Sequence, residues 1–358
     1  MSLLLNLHDY EREAASKLDS NALEYFRGGA ADEITLRRNQ TAFQEIVLRP
    51  RVLQDVSERS LQTLLLGQPF SMPIGIAPTA MQRLAHDDGE HATARAASSL
   101  NVPMILSTTS TVSVDDIGKV EGLRWWFQVY VYKDREATRE LALRAKAAGA
   151  TALVLTVDTP YLGKREGAVR AGFHLPAHLS LPNYAAVGAT GVPHTAGESS
   201  LGHHFSLNIE DSLTWNDVLW LKEISGLPMI VKGVLRADDA ILAVQHGVAG
   251  IIISNHGGRQ LDTAQATIDA LSAVVDSAGI MADVMLDGGV RRGTDVLKAL
   301  ALGAKAVFLG RPILWGLAVE GEQGVKRVLE ILRDELDLAM ALCGCRDIEK
   351  IRGDLLAT

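Results

Sequence analysis

Short runs of β-branched and other apolar residues recur along the chain, at 73–78, 102–108, 124–131, 152–158, 228–234, 250–256, 283–289 and 306–312. Runs of this length with little polar interruption read as strands buried on both faces. Alanine-rich stretches of helical character separate most of them, as at 134–148, 237–246, 264–277 and 293–302. Strand and helix alternating eight times predict an α/β fold, a (β/α)8 TIM barrel. The competing arrangement is an open doubly wound sheet. That sheet usually has fewer strands and often carries Gly-x-Gly-x-x-Gly after its first one, and no such turn follows 73–78.

Two regions fall outside the rhythm. Residues 1–70 are expected to form a short N-terminal helical cap, with helices at 19–27 and 32–43 around Gly28-Gly29. The barrel is expected over 71–320 and further helices over 321–358, all as one domain. After the fourth strand comes a long loop, 161–213, rich in Gly, Pro, Ser and His. Loops of that length usually serve a function, and this one is a candidate cover for a site.

Polar residues gather at the C-terminal ends of the strands, where barrel enzymes keep their chemistry. Strand by strand they are Pro78-Thr79-Ala80, Ser107-Thr108-Thr109, Gln128 with Tyr130, and Thr156-Val157-Asp158. They continue as Lys232-Gly233, Ser254 with His256, Asp287-Gly288-Gly289 with Arg291, and Gly310-Arg311. Lys232 or Asp158 taken singly could be structural, yet a charge inside a strand must be paired or placed in a site. The richest stretch is 250–262, where a buried strand runs into Ser254-Asn255-His256-Gly257-Gly258-Arg259-Gln260-Leu261-Asp262. His256 is a base suited to neutral pH, and the Arg259 guanidinium grips a carboxylate through two parallel bonds. Glycines between them let the backbone turn sharply and approach a ligand. Base and carboxylate clamp at one strand end predict proton abstraction from a small acid; the plainer reading is an exposed turn. Loops after the last two barrel strands often hold a phosphate. Gly288, Gly289 and Gly310 free backbone N–H groups for it, and Arg291 and Arg311 add charge-assisted bonds. Ordinary turn glycines are the alternative there.

Composition narrows the partners. The chain has 358 residues, 47% of them hydrophobic, which is ample for a large core. A formal charge of −8 argues against nucleic acid and gives no attraction to anionic membranes. Cys343 and Cys345 stand too close together for a useful structural disulfide, so a reduced, cytoplasmic protein is expected. The opening residues become polar too soon for a signal peptide, and no apolar run reaches the roughly 18 residues of a membrane helix. No metal is expected. Trp125, Trp126, Trp215, Trp220 and Trp315 are assigned by default to core packing.

The stretch Ser254–Asp262 closely resembles the active-site signature of the FMN-dependent L-2-hydroxy acid oxidases, a family of glycolate, lactate and mandelate oxidases. Ala77-Pro78-Thr79-Ala80, Gln128-Val129-Tyr130, Leu155-Thr156-Val157-Asp158-Thr159-Pro160, Lys232-Gly233, Asp287-Gly288-Gly289-Val290-Arg291 and Leu309-Gly310-Arg311-Pro312 extend the likeness over nearly the whole chain. The resemblance implies an FMN cofactor and oxidation of an L-2-hydroxy acid to the keto acid, with dioxygen reduced to hydrogen peroxide. It makes His256 the base, Asp158 the partner of its other ring nitrogen, and Arg259 with Tyr25 the carboxylate clamp. Tyr130 would bond the substrate oxygen, Arg165 would close over the site, and Lys232 would stabilise charge on the reduced flavin. Pro78, Thr79, Ala80, Ser107, Gln128, Thr156 and Ser254 would contact the flavin ring or ribityl chain, and Asp287 a ribityl hydroxyl. Gly288, Gly289, Arg291, Gly310 and Arg311 would form the phosphate end. A homotetramer, sometimes paired as an octamer, is implied as well.

One position departs from the plant-type and animal glycolate oxidases. They carry a tryptophan where this chain has Thr109, in Ser107-Thr108-Thr109-Ser110. The smaller residue opens space for a substrate side chain, so lactate, or a longer or aromatic 2-hydroxy acid, is expected over glycolate. Met81 lines that space or belongs to the core. The segment 181–190 is too short and mild for the apolar insertion of membrane-bound relatives, which favours a soluble oxidase over a dehydrogenase feeding a quinone or cytochrome. The rivals from other classes are a flavin-barrel isomerase, which needs no His256/Arg259 pair, and a non-catalytic flavin-binding protein, which would lack His256, Asp158 or Arg259.

Overall fold

The computed structural model describes residues 3–187 and 208–357. A hairpin, β1 (Thr63–Leu65) and β2 (Gln68–Phe70), precedes the barrel. The barrel strands are β3 (Ile74–Ile76), β4 (Met104–Leu106), β5 (Trp125–Val129), β6 (Leu153–Thr156), β7 (Met229–Val234), β8 (Gly250–Ile253), β9 (Asp283–Asp287) and β10 (Val307–Leu309). They close in sequence order, and β10 pairs with β3 in parallel to complete the ring. Each strand is shorter than its apolar run, and in all but β7 the C-terminal end of the run leaves the ladder toward the loops above the barrel.

Alternation along the strands explains what fills the barrel. Ile105, Trp126, Val154, Ile230, Ile252, Met285 and Phe308 form one apolar cluster at its floor. Leu106, Phe127, Leu155, Val231, Ile253, Leu286 and Leu309 come next along the chain and pack outward into the larger cluster shared with the helices. One position further on stand Ser107, Gln128, Thr156, Lys232, Ser254, Asp287 and Gly310, on the floor's side of each strand. Side chains two apart share a face, so an apolar floor carries a polar layer directly above it.

The hairpin closes the opposite end. Leu65 and Phe70 join the floor cluster, and the turn residues Leu66 and Gly67 both have positive φ, as a two-residue turn requires. The Leu66 N–H donates to Asp283 Oδ2 at 2.7 Å, fixing the plug to β9. The region before the barrel is therefore helical only in part. Helices span Leu7–Lys17, Ser20–Arg27 and Ile34–Glu45, and an irregular segment then leads into the hairpin. Alternation over so few residues, without Asn-Gly at the turn, hides such a hairpin among loop residues.

Helices Gly89–Leu100, Arg135–Ala147, Trp215–Ser225, Ala237–Gln245, Thr267–Ala278 and Gly293–Ala301 surround the barrel. A last helix, Arg311–Cys343, is kinked at Glu320 and Gly321, where Gly321 adopts φ +57°. Trp125, Trp126 and Trp315 are buried, while Trp215 and Trp220 are partly buried at the helix layer. Within the long loop, a short helix covers Glu166–Arg170 and a 3-10 turn covers Pro182–Val187. Residues 188–207 of that loop, including the end of the segment 181–190, lie outside the described residues. Among the described residues, no helix is long and apolar enough to cross a membrane.

Gly75 makes room for the floor. A Cβ at this position would lie 2.5 Å from the Phe308 ring and 2.8 Å from Pro103. Gly75→Ala should therefore lower stability by about 1–3 kcal/mol through overpacking, read from the denaturant midpoint. An unshifted midpoint would show that the floor has slack.

Candidate active site

A cleft partly open to solvent lies over the polar layer. Its lining includes Tyr25, Pro78, Thr79, Ala80, Ser107, Thr109, Gln128, Tyr130, Thr156, Arg165 and Lys232. It also includes His256, Arg259, Asp287, Gly288, Gly289, Arg291, Gly310 and Arg311. Asp158 and Ser254 stand behind this wall and act on residues that line it. Met81 is fully buried in the core and does not line the cleft.

The loop after β8 is bent by backbone conformation. His256, Gly257 and Gly258 have φ of +57°, +65° and +73° in succession. The left-handed region costs a residue with a Cβ about 1–2 kcal/mol. Here the cost falls on the histidine that faces the cleft, as happens at functional sites. Glycine is required at the next position, since a Cβ on Gly257 would come within 2.7 Å of Arg311 Nη1. The same holds at Gly258, whose Cβ would come within 2.6 Å of the Leu36 backbone. The Gly258 N–H donates to Asn255 Oδ1 at 3.0 Å, and the His256 N–H to Ser254 Oγ at 3.1 Å.

His256 Nδ1 lies 3.0 Å from Asp158 Oδ1, an arrangement that places the ring proton on Nδ1 and leaves Nε2 as acceptor. Burial holds the imidazole below its ordinary pKa, although Asp158 pulls the other way. The resting ring is therefore neutral and ready to take a proton. Burial alone would raise Asp158, but His256, Lys232 and a bond from Thr159 Oγ1 at 2.9 Å keep it below the usual carboxylate range. Gly233, at φ +114°, leaves the space that Asp158 occupies: a Cβ there would sit 2.6 Å from the Asp158 Cβ. Burial also keeps the Tyr130 phenol protonated.

Beside the base is a buried cation. Lys232 Nζ lies 3.1 Å from Asp287 Oδ2 and donates to Ser254 Oγ at 2.9 Å. Ser254 Oγ in turn donates to Asp287 Oδ1 at 2.6 Å. Counting the His256 N–H, the serine hydroxyl uses its one donor and both acceptor sites. It joins the β7 cation, the β9 carboxylate and the histidine loop.

Two arginines are held by the chain between Tyr25 and Gly28. Arg259 Nη1 donates to the carbonyls of Tyr25 and Gly28, each at 2.8 Å, and its guanidinium lies 5.1 Å above the Tyr25 ring. Tyr25 stacks on Phe173 at 4.2 Å. Arg311 donates to the carbonyls of Phe26 at 3.0 Å, Gly257 at 2.8 Å and Gly28 at 2.9 Å. Burial, with Arg165 and Arg311 nearby, pushes Arg259 well below its ordinary value; burial, with Arg291 and Arg165 nearby, pushes Arg311 down to about 9. Such crowding of partly buried cations favours the binding of anions.

FMN fits this donor set. Gln128 Nε2 and Arg291 Nε are buried without a partner, and each borders the cleft. Gly288 and Gly289, at φ +92° and +89°, turn the backbone beside Arg291. Unmet donors by the barrel axis and cationic groups by the β9 and β10 loops match a flavin ring and its phosphate. Arg165 Nε, also buried without a partner, borders the cleft among the arginines.

Several residues have structural roles here that the motifs did not assign, two of them, Asn255 and Gln260, inside the 254–262 stretch itself. Asn39 and Asn255 exchange amide bonds at 2.8 and 2.7 Å. The Asn39 carbonyl lies so close over Gly289 that a Cβ there would approach to 1.9 Å. Asn39 carried one signal, an amide at an interior helix position where asparagine is a poor former. Gln260 Nε2 donates to the carbonyls of Asp158 and Tyr161 at 2.9 and 2.8 Å, and its Oε1 accepts from the Gly163 N–H at 3.0 Å. This amide fastens the start of the long loop to the histidine loop.

Residues 14–358 match the family described as FMN-dependent dehydrogenase. The chain belongs to this family. The L-lactate oxidase of Nostoc sp. is 50% identical over 352 residues, covering 97% of this chain and 96% of the relative. The glycolate oxidase of Spinacia oleracea is 51% identical over 349 residues, covering 97% and 94%. Human 2-hydroxyacid oxidase 1 is 49% identical over 352 residues, covering 97% and 95%. The crystal structure of mandelate oxidase with (S)-4-hydroxymandelic acid superposes with a TM-score of 0.94 at 39% identity, covering 99% of this chain and 98% of that one. The protein is thus an FMN-dependent oxidoreductase. Arg291→Met should weaken FMN binding roughly ten- to hundredfold, the worth of one charge-assisted bond, in a fluorescence titration of the apoprotein. Unchanged affinity would remove Arg291 from the phosphate end.

Proposed function

We propose that the protein oxidises an L-2-hydroxy acid, L-lactate or a close homologue rather than glycolate, to the 2-keto acid, with dioxygen reduced to hydrogen peroxide. The observation that carries this reading is His256. It is neutral, backed by Asp158 at 3.0 Å, and shares the cleft with the Arg259 guanidinium. Close relatives named for lactate, glycolate and mandelate support the chemistry. The lactate oxidase and the glycolate oxidase are almost equally similar, at 50% and 51% identity, so identity does not choose between their substrates. Thr109 on the cleft wall supports the lactate reading, since a threonine there leaves room for a substituent on the α-carbon.

Each residue then has a part. Arg259 and Tyr25 bind the substrate carboxylate, Arg165 completes the anion site, and the Tyr130 phenol donates to the substrate oxygen. His256 Nε2 takes the proton, and Asp158 stabilises the imidazolium that results. Pro78, Thr79, Ala80, Ser107, Gln128 and Thr156 would hold the flavin ring and ribityl chain. Asp287 would reach a ribityl hydroxyl while Ser254 keeps it and Lys232 in place. Lys232 would stabilise negative charge near the ring. Gly288, Gly289, Arg291, Gly310 and Arg311 would hold the phosphate. When bound, FMN would supply the acceptor for the two electrons and the second hydrogen of the substrate CH–OH group, with dioxygen as the final acceptor. A cytoplasmic homotetramer is part of the proposal, carried by composition and family resemblance; light scattering of the holoenzyme tests its size.

Anaerobic addition of L-lactate to the holoenzyme should bleach the flavin bands, and air should restore them with release of peroxide. Bleaching without recovery would move the acceptor to a quinone or cytochrome, and no bleaching would exclude lactate. His256→Ala should abolish reduction while FMN stays bound; an unchanged rate would remove the base assignment. Only neutral His256 accepts a proton, so kcat/KM should rise with pH through a pKa below the ordinary histidine value and then level off. Asp158 raises that pKa, so Asp158→Asn should move the rise to lower pH. It should also lower the plateau by about 10² or more.

A further inference from the structure

Ser107, Thr108, Thr109, Ser110 and Thr111 form an unbroken run of hydroxyl side chains after β4. In sequence they promise a polar wall. In the structure each hydroxyl is taken up by the protein. Ser107 Oγ contacts Gln128 Oε1 at 3.4 Å, and Thr108 Oγ1 donates to the Gln128 carbonyl at 2.5 Å. Ser110 Oγ donates to the Val112 carbonyl at 2.7 Å, and Thr111 Oγ1 to Glu90 Oε2 at 2.6 Å. Thr109 is the member of interest, because it lines the cleft where a substrate side chain would lie.

Every polar group of Thr109 is occupied. Its N–H donates to Ser107 Oγ at 3.1 Å, and its carbonyl accepts from the Met81 N–H at 3.0 Å. Its Oγ1 lies 2.9 Å from the hydroxyl of Tyr184, a residue outside the cleft lining and only 1% exposed. The methyl group is what Thr109 has left to offer the cleft. Tyr184 is itself well fixed. It sits on the 3-10 turn beside Asn183, whose Oδ1 accepts from the Val114 N–H at 3.0 Å and whose Nδ2 donates to Ser110 Oγ at 2.8 Å. Its ring packs edge-on against Tyr132 at 5.8 Å.

We propose that Tyr184 is a positioning residue for substrate preference: by holding the Thr109 hydroxyl away from the cleft, it makes the wall beside the substrate side chain hydrocarbon. The site then favours small alkyl 2-hydroxy acids over hydroxylated ones. This rests on the 2-hydroxy acid reading above. A hydrophobic wall rejects an added hydroxyl only moderately, so the effect is one of degree.

The test compares anaerobic flavin reduction by L-lactate and by L-glycerate, which differ at this group by one hydroxyl. In Tyr184→Phe the threonine hydroxyl is released and turns toward the cleft. The lactate-to-glycerate ratio of kcat/KM should fall by about three- to tenfold. Adding Thr109→Val, which replaces that hydroxyl by a methyl, should return the ratio to the wild-type value. Thr109→Val alone should leave the ratio within about twofold of wild type, and it decides the matter if Tyr184→Phe does not fold. An unchanged ratio in Tyr184→Phe with a normal flavin spectrum would overturn the proposal. So would a ratio in Thr109→Val raised beyond about fivefold, since the hydroxyl would then already face the substrate. Dissociation constants of pyruvate and hydroxypyruvate for the oxidised holoenzyme should follow the same order. They keep the two readings apart: if neither acid reduces the wild-type flavin, the functional reading fails, while the keto-acid ratios still decide the role of Tyr184.

Discussion

Closure of a parallel barrel forces every second side chain of each strand into one narrow interior, and the rest of the site depends on how that space is divided. Ile105, Trp126, Val154, Ile230, Ile252, Met285 and Phe308 fill the lower level and exclude water from it. The next inward level then rests on hydrocarbon, and Lys232 and Asp287 must find their partners within it. Their contact at 3.1 Å, bridged by Ser254, is the outcome. A charge at this level without such a partner would be strongly destabilising. The same closure puts the histidine of the β8 loop across from the aspartate that ends the β6 run.

The cleft carries more cationic side chains than carboxylates, and backbone carbonyls accept bonds from two of its arginines. The chain from Tyr25 to Gly28 supplies most of these carbonyls, to both Arg259 and Arg311. A segment far away in sequence thus holds the two guanidiniums apart and oriented. Orientation fixed in advance lowers the cost of binding a carboxylate or phosphate later. The left-handed turn at His256, Gly257 and Gly258 serves the same end, since only glycine leaves room for the Arg311 side chain and the helix bearing Leu36.

The barrel was legible in the sequence because its signal is local and repeated: apolar runs, helical spacers, and polar residues at one end of each run. His256, Arg259, Lys232 and the Gly288-Gly289 turn were legible because such residue types at strand ends have few structural uses. The hairpin plug was not, since its alternation is too brief to stand out. The roles of Asn39, Gln260 and Tyr184 were not either, because each acts through a partner distant along the chain.

Sequence alone thus determined the order of strands and helices, the side of the barrel that carries chemistry, and the family, all of which follow from residue type and short-range spacing. The tertiary structure decided which polar groups face the cleft and which are spent inside the protein. The run from Ser107 to Thr111 reads as uniformly polar, yet its hydroxyls are bonded within the protein, that of Thr109 to Tyr184. Such choices depend on the direction of a hydrogen bond to a residue brought near only by folding, which no local pattern encodes.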